Sequence, residues 1–198
     1  MKKGLLIVMS GPSGVGKGTI RDILFENKKL DLFFSVSMTT RKPRPGEVDG
    51  VDYYFVSKDE FLKNVKEGNL LEWTEYVGNY YGTPKNKVEE MRNDGKNVLL
   101  EIDVNGASNV LSKVDDAVSI FIAPPSMDEL ERRIRHRGTE SEETIQNRIE
   151  RARKELKFEK QYKYVVINNE RDEAVDEIAE LIKKQIKESL WLQLQFMD

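Results

Sequence analysis

The segment Gly11-Pro12-Ser13-Gly14-Val15-Gly16-Lys17 limits what this chain can fold into more than any other stretch does. It fits the spacing G-x-x-x-x-G-K. The apolar run Leu5–Met9 precedes it, and a helical pattern over Thr19–Asn27 follows, with Ile20, Ile23 and Leu24 on one face. Strand, glycine-rich turn and helix in that order form a phosphate cradle. The glycines let successive backbone N–H groups point inward, and the helix N-terminus adds its positive end. Lys17 adds a point charge for the β and γ phosphates. Gly11, Pro12, Ser13, Gly14, Val15, Gly16, Lys17, Gly18 and Thr19 are therefore expected to bind a nucleoside triphosphate. The flanking strand and helix separate this from an ordinary glycine-rich turn bearing a surface lysine. Gly18 stands where the usual motif carries Ser or Thr, and Thr19 comes one residue later. A direct hydroxyl contact to Mg²⁺ is thus not expected; phosphates and water suit this ion.

The rest of the chain alternates in the same way. Apolar runs of strand length recur at Phe33–Met38, Asn97–Asp103, Ala117–Ala123 and Tyr164–Ile167. Helical patterns separate them, the last over Arg171–Leu190. Continuous apolar strands between helices imply a parallel sheet covered on both faces, an α/β fold built around a P-loop. The 198 residues fit one domain, 1–198. Residues 35–96 break the alternation with a Pro/Gly-rich loop and an aromatic stretch, Leu70–Thr83, of no helical period. They are expected to form an inserted sub-domain. Seven of the 12 arginines lie between Arg132 and Arg153, and residues 133–150 show no strong apolar stripe. That segment reads as a mobile, solvent-facing lid. The core is then 1–34, 97–132 and 151–198.

Composition narrows the partners. A net charge of −3 provides no electrostatic footprint for nucleic acid, and no segment has the length of a membrane span. Lys2-Lys3 before Leu5–Met9 resembles a signal peptide, but the apolar run is too short and leads straight into the phosphate loop. The absence of cysteine excludes a disulfide framework and fits the cytoplasm, where a monomer or weak homo-oligomer is expected. The strand Val98–Asp103 ends in acids. Glu101 and Asp103 there either face the nucleotide crevice or cap the next helix. The tail Trp191–Met197 is apolar, suiting either core packing or a subunit contact.

Beyond the loop, Ser35-Val36-Ser37-Met38-Thr39-Thr40-Arg41-Lys42-Pro43-Arg44-Pro45-Gly46-Glu47 and Gly50-Val51-Asp52-Tyr53-Tyr54-Phe55 resemble the GMP-binding segment of guanylate kinases. The similarity continues through Glu72-Trp73, Gly78–Thr83, Glu101-Ile102-Asp103, Ile122–Ser126 and Arg137–Glu140. It implies the reaction ATP + GMP → ADP + GDP, with Mg²⁺ as cofactor, and makes 35–96 the GMP-binding insertion. A monophosphate is a compact anion that wants forked donors, which Arg41 and Arg44 in a stiffened loop can supply. By resemblance, Tyr53 and Tyr81 add hydroxyls, and Glu47 belongs to the same segment. Read without the resemblance, Glu72 is a surface acid beside a packed Trp73. With it, Glu72 takes the guanine N1–H and N2–H₂ donors, supported by Ser37, Thr83 and Asp103. The resemblance further implies Arg133, Arg137 and Arg148 as the lid arginines that act with Lys17 and Arg41 in catalysis. It implies Asn168 near adenine and, through water, Glu101 near the metal.

Arg132, Arg135, Arg151 and Arg153 read instead as pairs with Glu131, Glu150 and Glu155 or as solvated charges. His136 reads as a bystander, since an ionised phosphate nucleophile needs no general base. Two other readings compete: a kinase for AMP or UMP, and a catalytically silent scaffold domain. Glu72 with Ser37 and Thr83 argues against the first, and the intact loop with Lys17 argues against the second.

Overall fold

The computed structural model describes residues 3–76, 78–136 and 141–195. Its elements are β1 (Leu6–Ser10), α1 (Lys17–Glu26), β2 (Leu32–Phe34), β3 (Met38–Thr39), β4 (Tyr54–Phe55), α2 (Lys58–Lys66), β5 (Leu70–Tyr76), β6 (Asn79–Pro84) and α3 (Lys85–Asn93). They continue with β7 (Asn97–Glu101), α4 (Val104–Leu111), β8 (Val118–Ala123), α5 (Met127–His136), α6 (Glu142–Leu156), β9 (Tyr164–Ile167) and α7 (Arg171–Gln195).

Strands β1, β7 and β8 are apolar at almost every position because both of their faces are covered. Ile7, Met9, Leu99, Ile120 and Ile122 point to one side, where α1, α5, α6 and α7 supply Leu24, Leu130, Ile149 and Ile178. Leu6, Val8, Val98, Leu100 and Phe121 point to the other, against Val88 of α3 and Val104, Ala107 and Val110 of α4. The five strands run parallel in the order β2-β7-β1-β8-β9. From β1 the chain crosses to β2 at one edge; from β7 it crosses the other way to β8. The loops after β1 and β7 therefore part above the sheet and leave a crevice at the carboxyl ends.

A second, four-stranded sheet of order β4-β3-β6-β5 comes from the residues that interrupt the alternation. The expected strand Phe33–Met38 is divided between the two sheets. Ser35 N donates to Leu99 O of the first sheet, and Tyr54 N donates to Ser37 O of the second. The aperiodic stretch Leu70–Thr83 is the β5–β6 hairpin, where Trp73 and Phe61 pack on Tyr80.

Two expectations need correction. Residues 133–150 do carry an apolar face: Ile134, Ile145 and Ile149 are buried in the main core, with Ala152 continuing the row. Four-residue spacing amid dense charge concealed it, and α5 packs on α6. The helix over Arg171–Leu190 runs on to Gln195, so the start of the apolar tail is helical; Trp191 is exposed. No helix among the described residues is long and apolar enough to cross a membrane.

Candidate active site

The phosphate loop lies where β1 ends. Gly11, Gly14 and Gly16 have φ of 151°, 89° and 99°, values that side chains with a Cβ rarely adopt. Space is tight as well, since a Cβ on Gly11 would lie 2.3 Å from the Ile122 carbonyl oxygen. Lys17 Nζ donates to Gly11 O at 2.6 Å and Pro12 O at 3.0 Å. Burial pushes the Lys17 ammonium below its ordinary range, and Glu101, Glu155 and Asp103 act in the opposite direction. Thr19 is exposed.

Facing the loop is one continuous cleft. Gly11, Ser13 and Lys17 line it on the core side, together with Glu101, Ile102 and Asp103 from the end of β7. Ser37, Tyr53, Glu72, Thr74, Tyr76, Tyr81 and Gly82 line it from the second sheet, and Arg151 and Glu155 from α6. Of the expected acceptor residues, Ser37, Tyr53, Glu72, Tyr81 and Asp103 line this cleft, whereas Arg41, Arg44, Glu47 and Thr83 are not part of its lining.

Glu72 is buried, 4% exposed, and its Oε1 accepts the Thr83 hydroxyl at 2.6 Å. Burial pushes its pKa up to about 7, with the Thr83 hydrogen bond acting in the other direction. The residue-only reading is reversed here: Trp73 is exposed and Glu72 packed. A register shift between Leu70 and Glu72 is responsible, placing Glu72 opposite Thr83. Asp103 Oδ1 accepts from Gly106 N at 2.8 Å as the α4 cap, so this acid both caps a helix and lines the cleft.

Arg41 is forked onto Glu47, at 2.7 and 2.8 Å, and its guanidinium lies 5.1 Å from the Tyr53 ring centre. The Arg41 fork and the Arg44 backbone amide hold Glu47 down to about 2. Tyr53 and Tyr81 meet edge to face at 6.1 Å. The Arg44 side chain is exposed. A pocket lined by Arg21, Ser37, Glu47, Tyr53 and Glu101 adjoins the cleft here.

The arginines of α5 and α6 divide differently from expectation. Arg148 donates to Ser13 Oγ at 3.0 Å, so it does reach the loop. Arg133 is held by Glu129 and by the carbonyls of Asn168 and Asn169, away from the cleft lining. Arg137 lies outside the described residues. Arg132 pairs with Glu129, and Arg135 with Glu131 and Glu142. Arg153 and His136 are exposed. Asn168 is buried and donates from Nδ2 to Val15 O at 2.8 Å, bracing the loop from behind. Cleft-lining residues that sequence reasoning did not place in the site include Arg151, Glu155 and Tyr76. Arg151 does pair with Glu155, but the pair points into the cleft rather than to solvent.

No group of three or more His, Cys, Asp or Glu among the described residues could hold a metal. Glu101 is nonetheless next to the loop: its Oε1 lies 3.8 Å from where a Gly18 Cβ would be, while Oε2 accepts from Arg21 at 2.9 Å. Glu101 beside the loop, with no three-ligand cage among the described residues, fits an ion that arrives with phosphates and keeps its waters.

A glycine cradle at the carboxyl end of a parallel sheet, opposed by a second sheet with a buried carboxylate, defines a nucleotide kinase of the P-loop class. The guanylate kinase family profile matches residues 3–185. The guanylate kinase of Lactobacillus acidophilus is 54% identical over 180 residues, covering 91% of this chain and 88% of that one. That of Oceanobacillus iheyensis is 52% identical over 184 residues, covering 93% and 89%. The crystal structure of guanylate kinase from Anaplasma phagocytophilum superposes with a TM-score of 0.75 at 35% identity, covering 93% of this chain and 87% of that one. The chain belongs to the guanylate kinase family.

Proposed function

We propose that this chain transfers the γ-phosphoryl group of ATP to GMP, giving ADP and GDP. The observation that carries the choice of acceptor is Glu72. It is a buried carboxylate opening onto the cleft, pinned at one oxygen by Thr83. Guanine presents N1–H and N2–H₂ to such a group, and adenine has no matching donor pair, so the wrong base leaves a buried acceptor unpaired. Ser37, Thr83 and Asp103 line the base. Arg41, Arg44, Tyr53 and Tyr81 hold the monophosphate, and Glu47 keeps the Arg41 fork oriented between them.

On the donor side, Gly11–Thr19 cradle the triphosphate. The Lys17 ammonium exchanges its two loop carbonyls for phosphate oxygens. That exchange favours its charged form, which burial alone disfavours. The acceptor's phosphate oxygen is already ionised, so catalysis is positioning plus neutralisation of the moving group. Arg148 reaches it from α6, and Arg137 completes the set. Arg133 steadies the Asn168 segment near adenine. Glu101 would hold Mg²⁺ through water, and the ion would supply charge neutralisation on the donor phosphates. In this reading residues 35–96 are the GMP-binding insertion, 133–150 the lid, and 1–34, 97–132 and 151–198 the core. We read the chain as a cytoplasmic monomer or weak homo-oligomer that acts on small molecules, without nucleic acid or membrane.

A coupled assay of ADP release with GMP, dGMP, AMP, UMP and CMP tests this. GMP is expected to exceed AMP and UMP by at least roughly 10³-fold in kcat/KM. Equal turnover of AMP or UMP overturns the acceptor, and no turnover with any of them overturns the activity.

A further inference from the structure

From its spacing along α6, Arg151 is one more helix-surface charge. Its contacts are of another kind. Nε donates to Glu155 Oε1 at 2.7 Å, Nη2 reaches Asp103 Oδ2 at 3.4 Å, and the guanidinium lies 4.6 Å from the centre of the Tyr76 ring. Each contact continues into a different part of the cleft. Glu155 is buried, and its Oε2 accepts the backbone N–H of Ser13 at 3.2 Å, within the phosphate loop itself. Asp103 is fixed through its other oxygen to Gly106 N, and Gly106 borders Glu72 Oε2. Tyr76 is the last residue of β5, on the second sheet.

We propose that Arg151 is a positioning residue that couples the two ends of the cleft, so that an occupied acceptor pocket strengthens donor binding and the reverse. The inference rests on the assignment of the acceptor to the Glu72 end and the donor to the phosphate loop. Its physical basis is the guanidinium plane. One group offers its edge to two carboxylates and its face to an aromatic ring, which a lysine ammonium cannot do at once. Asp103 and Glu155 both act on Lys17 electrostatically, as does Arg151 itself. Any movement of Asp103 or Tyr76 on filling the acceptor pocket is therefore passed to the charge balance around Lys17 and to the Ser13 amide. Coupling of this kind must be reciprocal.

The test is calorimetric. The Kd of GMP is measured alone and with the Mg²⁺ complex of the β,γ-imido analogue of ATP saturating, and their ratio is the coupling factor. The wild-type factor is expected in the range of about 5–150. Arg151→Met is expected to bring it to within about twofold of 1, and Arg151→Lys to leave an intermediate value. Tyr76→Leu, at an exposed position where folding is not at stake, is expected to lower the factor, and Tyr76→Phe to keep it. A wild-type factor of 1 overturns the proposal, as does an unchanged factor in a folded Arg151→Met. If Arg151→Met does not fold, an unchanged factor in Tyr76→Leu overturns it. Glu72→Gln in the same titration separates the two ideas. Unchanged GMP affinity there removes the acceptor assignment, whereas weakened GMP affinity with intact coupling in the Arg151 variants removes only the coupling.

Discussion

A Cβ built on Gly106 would lie 2.7 Å from Oε2 of Glu72, closer than any side chain tolerates. Gly106 is the third residue of α4, and its backbone is ordinary right-handed helix. Glycine here is explained by the space it leaves for the carboxylate rather than by conformation. Gly106→Ala should therefore gain helix propensity, about 1 kcal/mol in an unstrained helix, while crowding Glu72, the proposed guanine acceptor. The expected result is a Tm no lower than wild type by more than about 3 °C, with a GMP Kd raised at least ~10-fold and ATP affinity unaltered. Unchanged GMP affinity would detach Gly106 from the site.

In the proposed reading, GMP binding is expected to depend on pH through Glu72. Its carboxyl is pushed up to about 7 in the empty protein, yet a guanine needs it ionised. Below pH 7 the proton must leave before the base binds, so from pH 8 to pH 6 the GMP Kd should rise about tenfold. Folding stability has the opposite sign. A carboxyl held above its ordinary value of 4.5 binds protons better when folded, so its contribution is full below about 4.5 and declines as pH rises to about 7. Titration calorimetry reads the GMP affinity and thermal unfolding at each pH reads the stability, with Glu72→Gln as control for both. The variant should bind GMP at least ~100-fold more weakly and keep only the slope of the GMP phosphate itself. A wild-type slope that persists in Glu72→Gln would be incompatible with this assignment.

Lys17→Ala removes the cation that the loop carbonyls hold ready. Single-turnover measurements should find the chemical step at least ~10²–10³-fold slower, a typical loss for one fixed charge at a transferring group. GMP affinity should stay within about threefold. Turnover within tenfold of wild type would refute the role.

Gly11→Ala tests the loop's geometry rather than its charge. The new Cβ meets a backbone oxygen at 2.3 Å, at a φ of 151°, and neither can adjust cheaply. A loss of about 2–4 kcal/mol is expected, which in a domain of this size lowers Tm by roughly 5–15 °C. Calorimetry showing a Tm within 2 °C of wild type would mean that the loop relaxes in a way this geometry does not allow.

Much of this was legible in the chain before its fold. The alternating strands and helices and the cradle at Gly11–Lys17 are local. They depend on residues a few positions apart. Expectation departed from structure where distant segments decide. Phe33–Met38 looks like one strand, but Ser35 and Ser37 find their partners in different sheets. The Ile134, Ile145 and Ile149 face was hidden because spacing alone cannot tell a buried stripe from scattered apolar residues on a charged helix.

By itself, then, the sequence determined that a triphosphate loop sits between a buried strand and a helix, because glycine conformation and short-range hydrogen bonding decide such a motif. Only the tertiary structure made Glu72 a buried acceptor instead of a surface acid, through a bulge in β5 and the missing side chain at Gly106. Only it brought Arg151 from α6 to Asp103, 48 positions away, and to the end of β5. Burial, and with it the chemistry of these groups, depends on what crosses a side chain's path from elsewhere in the chain, and no local pattern records that.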